Sequence, residues 1–76
     1  MDPQSLKKIN DALKNEQSVI LLTEISENSG GRDRVIYQGD KLAGEMGEAI
    51  DAVFTSGNSS ITRLNESEFF LNLYLP

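Results

Sequence analysis

Ser18-Val19-Ile20-Leu21-Leu22-Thr23-Glu24-Ile25 is the stretch on which the fold turns. Side chains alternate sides along a strand, so four consecutive apolar residues from Val19 to Leu22 leave neither side for water. Such a run reads as an interior strand buried on both faces. Alternation resumes at Thr23 and Ile25, which leaves the far end half exposed.

Upstream, Asp2-Pro3 is a good helix start. Asp2 can cap, and proline suits the first helical position because its missing N–H has no partner there anyway. Leu6, Ile9, Ala12 and Leu13 then share one face, with Lys7, Lys8, Asp11 and Lys14 elsewhere, which predicts a helix over Pro3 to Asn15. Downstream, Glu27-Asn28-Ser29-Gly30-Gly31-Arg32-Asp33 is rich in breakers and reads as a loop. Arg34 to Tyr37 reads as a second strand. Gln38-Gly39-Asp40-Lys41 reads as a tight hairpin turn, with Leu42 and Ala43 beginning a return strand.

Glu45 to Ser56 carries an apolar stripe of Met46, Ala49, Ile50, Val53 and Phe54, with Gly57 as a C-cap. Ile61 to Leu64 and Glu68 to Leu75 complete the strands, separated by the turn Asn65-Glu66-Ser67. Phe69, Leu71, Leu73 and Leu75 share one face of the last strand; Phe70, Asn72 and Tyr74 share the other. The segment from Leu42 to Ile61 is long enough to cross over between parallel strands. The expected fold is therefore α+β: a small mixed sheet of about five strands with two helices packed on one face. Residues 1–76 are expected to form a single domain.

The composition excludes more than it proposes. There are 7 basic and 12 acidic residues, a net charge of −5, where a nucleic-acid binder or an anionic-membrane binder carries a basic face. There is no Cys and no His, which removes thiolate nucleophiles, imidazole bases and ordinary zinc sites. Catalysis would need a carboxylate or lysine set in a pocket, and so short a chain does not readily enclose one; no enzyme activity is expected. The absence of Cys fits a reducing compartment, and no apolar run suits a signal peptide or a bilayer span, so a cytoplasmic location is expected.

Three constellations remain. Gly44-Glu45-Met46-Gly47 combines a glycine turn with a helix start, a generic anion cradle, although Glu45 and Glu48 already compensate the positive helix end. In Gly30-Gly31-Arg32-Asp33-Arg34, two arginines beside glycines can hold a carboxylate, a phosphate or an acidic partner surface, or can form a solvated loop. Glu45, Glu48 and Asp51 line an exposed side of the second helix, as a solvated face or as carboxylates available to metal or acid–base chemistry. The aromatics Tyr37, Phe54, Phe69, Phe70 and Tyr74 read mostly as core. No basic residues are interleaved with them, as a nucleic-acid stacking platform would require.

From about Leu6 to Pro76, the chain resembles the N-terminal domain of the xanthine dehydrogenase accessory protein family (XdhC/CoxI type). The resemblance is carried by the opening helix, the apolar strand Val19-Ile20-Leu21-Leu22-Thr23 and the small-residue and arginine loop Asn28-Ser29-Gly30-Gly31-Arg32. The run Gly39-Asp40-Lys41-Leu42-Ala43-Gly44-Glu45-Met46-Gly47-Glu48-Ala49 and the ending Leu73-Tyr74-Leu75-Pro76 complete it. The chain departs from the family in lacking the loop's Gly-Ser-x-Pro-Arg pattern and the full glycine run at the second helix. The resemblance implies an accessory domain that helps mature a molybdenum-cofactor enzyme such as xanthine dehydrogenase, by contact with the protein or the molybdenum cofactor. The expected partners are a molybdoenzyme or a downstream Rossmann domain of the same protein. It points to Gly30, Gly31, Arg32, Arg34, Gly44, Gly47 and Glu48 as the binding surface, and to Leu73, Leu75 and Pro76 as a domain junction. The rival reading is a generic protein-interaction or structural module with no cofactor role.

Overall fold

The computed structural model describes residues 3–25 and 32–76, and of Arg32 the backbone alone. The elements run α1 (Pro3–Lys14), β1 (Val19–Ile25), β2 (Arg32–Tyr37), α2 (Gly44–Ser56), β3 (Ser60–Leu64) and β4 (Ser67–Tyr74). The four strands form one sheet in the order β2-β1-β4-β3, with every neighbouring pair antiparallel. β1 is interior, as its unbroken apolar run requires. It pairs with β2 on one side (Ile20 opposite Ile36) and with β4 on the other (Ile20 opposite Leu73).

Because β1 is apolar on both faces, each face needs cover. Ile20 and Leu22 point one way and join Ile36, Ile50, Val53 and Leu71, a cluster completed by Leu42, Met46, Ala49, Phe54, Phe69 and Leu73 under α2. Val19 and Leu21 point the other way and join Ile9 and Ala12 of α1, with Leu13, Val35, Tyr37 and Tyr74 around them. The two helices therefore lie on opposite faces of the sheet. The expectation of both helices on one face is corrected: a strand with four buried residues in succession cannot be sealed from one side.

The expectation of about five strands in a mixed sheet is corrected as well. Leu42 and Ala43 form no strand. The Asp40 N–H donates to the Tyr37 carbonyl (3.0 Å) and the Asp40 carboxylate accepts the Tyr37 N–H (3.0 Å), so the turn closes on β2 itself. The chain then crosses the sheet through α2 to its opposite edge. All connections join antiparallel neighbours or opposite edges, and no parallel pair arises.

The element ends have local causes. α1 ends in a Schellman motif: the Gln17 N–H donates to the Ala12 carbonyl (2.9 Å), the Glu16 N–H to the Leu13 carbonyl (3.1 Å), and Glu16 takes φ 58°. α2 ends at Gly57, whose N–H donates to the Val53 carbonyl (3.0 Å). The β3–β4 turn places Asn65 (φ 51°) and Glu66 (φ 66°) in left-handed conformations, the signature of a type I′ hairpin. The buried face of α1 differs from the sequence stripe: Ser5 is buried with Ile9 and Ala12, while Leu6 is 49% exposed. Asp2, read as a cap, lies outside the described residues.

Candidate interaction surface

The residues singled out by the sequence gather at two ends of the structure. Gly30 and Gly31 lie outside the described residues. The backbone of Arg32 opens β2 opposite Glu24, and Arg34, opposite Leu22, is exposed. The start of α2 is at the same end of the sheet as Glu24. There a cleft of ≈ 620 Å³ is lined by Glu24, Ala43, Glu45 and Met46 on one side and Leu64, Asn65, Ser67 and Phe69 on the other. So the fold brings the backbone of Arg32 and the Gly44 turn to one neighbourhood. Leu73 packs against the α2 core, and Leu75 and Pro76 are exposed beyond the last strand.

The geometry at Gly44 and Gly47 explains these glycines by packing. Gly44 has φ +77°, a left-handed conformation that turns the chain into α2. Gly47 is buried against the backbone of Leu42, and a Cβ there would overlap the Leu42 carbonyl. Glu45 and Glu48, both exposed, answer the positive end of the helix. Molybdenum cofactor carries a phosphate, which needs cations or free N–H donors. Among the described residues the cleft is lined by the carboxylates of Glu24 and Glu45 and by no basic side chain, beside the N–H groups of the first turn of α2, which no side chain caps. No group of three or more His, Cys, Asp or Glu among the described residues could hold a metal ion. No described helix is long and apolar enough to cross a membrane.

A second surface was hidden in residues assigned to strands and core. α1 lies over β1, β2 and the Tyr74 end of β4, and no described helix covers the same face of β3 and the rest of β4. Across that open half, the register sets Asp33, Thr23, Phe70 and Ile61 in one row. Thr23 Oγ1 donates to Asp33 Oδ1 (3.0 Å) at the covered end of the row. Phe70 is 39% and Ile61 64% exposed at its open end. Ile25, also exposed, shares this face one row away, beside Glu68.

Polar groups bound the pair. Glu68 and Arg63 face each other on one side. On the other, Ser59 Oγ donates to Asn72 Oδ1 (3.2 Å), and Asn72 Nδ2 donates to Tyr74 Oη (2.9 Å). An apolar centre inside a polar rim is the anatomy of a protein contact surface. The available signal in the sequence was alternation: Phe70 shares its face with Glu68, Asn72 and Tyr74, and Ile61 shares its face with Ser59 and Arg63, so neither belongs to the strands' main apolar face.

The same patch borders a sheet edge. The Leu73 N–H donates to Ser59 Oγ (2.8 Å) and so points toward the β3 side. Backbone groups alternate sides along an antiparallel strand, so Leu71 and Phe69 also point to β3 and engage Ser60 and Thr62. Ile61 and Arg63 therefore turn their N–H and C=O groups outward. At the opposite edge, Asp40 engages both outward backbone groups of Tyr37.

Together these features define a small α+β domain: an antiparallel four-stranded sheet, helices on opposite faces, and half of one face that no described helix covers. Compared with protein-family models, curated proteins and solved structures, the chain matches none.

Proposed function

We propose that this domain is a non-enzymatic protein-docking module that binds a partner protein rather than a cofactor. The observation that carries the reading is the contiguous exposed pair Ile61 and Phe70 on a half-sheet that no described helix covers. The acidic lining of the α2 cleft supports the same reading, because it disfavours an anionic ligand.

The resemblance to accessory domains supplies a client class, a molybdenum enzyme awaiting its cofactor, and docking is a mode of action open to such an accessory domain. Titration of the domain with an apo-molybdoenzyme and, separately, with molybdopterin tests this. Binding to the apoenzyme that falls at least about tenfold in Ile61→Asp and Phe70→Asp supports docking through this face, since central apolar contacts dominate such interfaces. Molybdopterin binding lost in Arg34→Ala would favour a cofactor role. Binding to neither probe would remove the molybdoenzyme client.

A further inference from the structure

We propose that the β3 edge is a self-association surface, through which two copies pair about a two-fold axis at Ile61 and join their sheets into one of eight strands. This rests on reading the open half-face as a protein contact and names a second copy as its occupant.

The first support is the backbone. Ile61 and Arg63 turn their N–H and C=O groups outward, with no described strand beside them, at an edge of five residues carrying one charge, the kind of edge that recruits another strand. An antiparallel partner must match outward residues with outward residues. With Ile61 opposite Ile61 of the second copy, each supplies both of the other's missing bonds, and Arg63 comes opposite Ser59. No like charges face each other. Centring the axis on Arg63 instead would oppose two guanidinium groups.

Side chains support the same register. Ile61 adjoins Phe70 within its own sheet, so the shared face would read Phe70, Ile61, Ile61, Phe70 across the axis, four apolar groups in a row. Arg63 and Glu68 on one side and Ser59 and Asn72 on the other would rim it. On the opposite face, Glu45 lines the cleft beside Leu64 and Ser67, whereas Asp51 lines a hollow beside Gly39 to Leu42. The α2 flank toward β3 therefore follows the helical spacing Glu45, Ala49, Ala52, Ser56. Small residues occupy most of the flank that would meet the second α2, while Glu48 and Asp51 point elsewhere.

The contact area would be small. Two five-residue edges and four exposed side chains fall below the ~1,200 Å² typical of stable complexes, so the dimer should be weak, with a Kd on the order of 0.1 mM.

Sedimentation equilibrium from about 10 μM to about 1 mM brackets that affinity. The expected result is a reversible rise from monomer toward twice the monomer mass. Ile61→Lys sets two ammonium groups at the axis and should weaken association at least about tenfold, since like charges at a contact cost several kcal/mol. Leu6→Lys, on an exposed α1 position away from β3, should leave association unchanged. Amide exchange on the unmodified chain provides a readout independent of variant folding: the Ile61 and Arg63 amides should gain protection with concentration. A single monomeric species throughout, association indifferent to Ile61→Lys, or protection gained at β2 instead would each overturn the proposal. A monomer that still loses client binding in Ile61→Asp would overturn self-association and leave the docking reading intact. An unmodified chain that stays monomeric and binds no apo-molybdoenzyme would overturn self-association and remove the molybdoenzyme client.

Discussion

At the scale of single residues, this chain places two glutamates where glycine is the natural choice. Glu16 closes α1 at φ 58°, and Glu66 completes the I′ turn at φ 66°. A left-handed conformation costs a residue with a Cβ about 1–2 kcal/mol, part of which glycine's greater unfolded-state freedom offsets. Glu16→Gly and Glu66→Gly should each raise stability by up to about 1 kcal/mol, visible as a higher denaturant midpoint at unchanged m-value. Gly47 is the opposite case. A methyl group at this position meets the Leu42 backbone, which cannot move aside like a flexible side chain. Gly47→Ala should lower stability by about 1–3 kcal/mol despite alanine's better helix propensity. Glu48→Ala, one residue on and exposed, should stay within about 0.5 kcal/mol in the same urea titration.

At the scale of elements, the separation of the two cores has a measurable signature. Ile9 sits in the α1 cluster and Ile50 in the α2 cluster, with the sheet between them. Ile9→Val and Ile50→Val should each cost about 0.5–1.5 kcal/mol. Their effects should add within about 0.5 kcal/mol in the double variant, because the sheet separates the two clusters. Helices sharing one face would give a larger coupling. Both helices and all four strands were legible in hydrophobic period, with ends displaced by one or two residues. What misled was local: Gly39-Asp40 has hairpin composition, but the Asp40 side chain closes the turn on Tyr37 and ends the strand. The Leu42–Ala43 strand and the parallel crossover both followed from that one misreading. The opposed helices were already implied by Val19 to Leu22. The candidate site was less legible, because an exposed Ile61 or Phe70 is an ordinary strand residue until the register shows which half-face the helix leaves bare.

At the scale of the whole molecule, protection from solvent should be graded outward from β1. This strand is paired on both sides and covered on both faces, so the amides of Ile20 to Leu22 should exchange with deuterium only through global unfolding. At low protein concentration, Ile61 and Arg63 should exchange far faster than Thr62 between them, since only Thr62 turns its N–H toward β4. Alternating protection along five residues would verify the deduced edge; uniform protection along β3 would contradict it. The charge of −5 acts at this scale too. It opposes any close approach of two copies, and added salt should relieve that repulsion and strengthen a β3-mediated dimer.

The position of β4 has a consequence for how the protein is made. β4 comes last of the four described strands in sequence, yet it fills the slot between β1 and β3. Until Ser67 to Tyr74 have left the ribosome, β1 lacks a neighbour on one side and β3 has none at all. The emerging polypeptide can form helical turns and a β1–β2 ribbon, but it cannot close its sheet early. Synthesis would therefore leave an apolar strand waiting for its mate through about fifty residues of further translation, since Leu22 pairs with Leu71 and Val19 with Tyr74. During that interval the unpaired edge and apolar side chains of Val19 to Leu22 are open to misassembly.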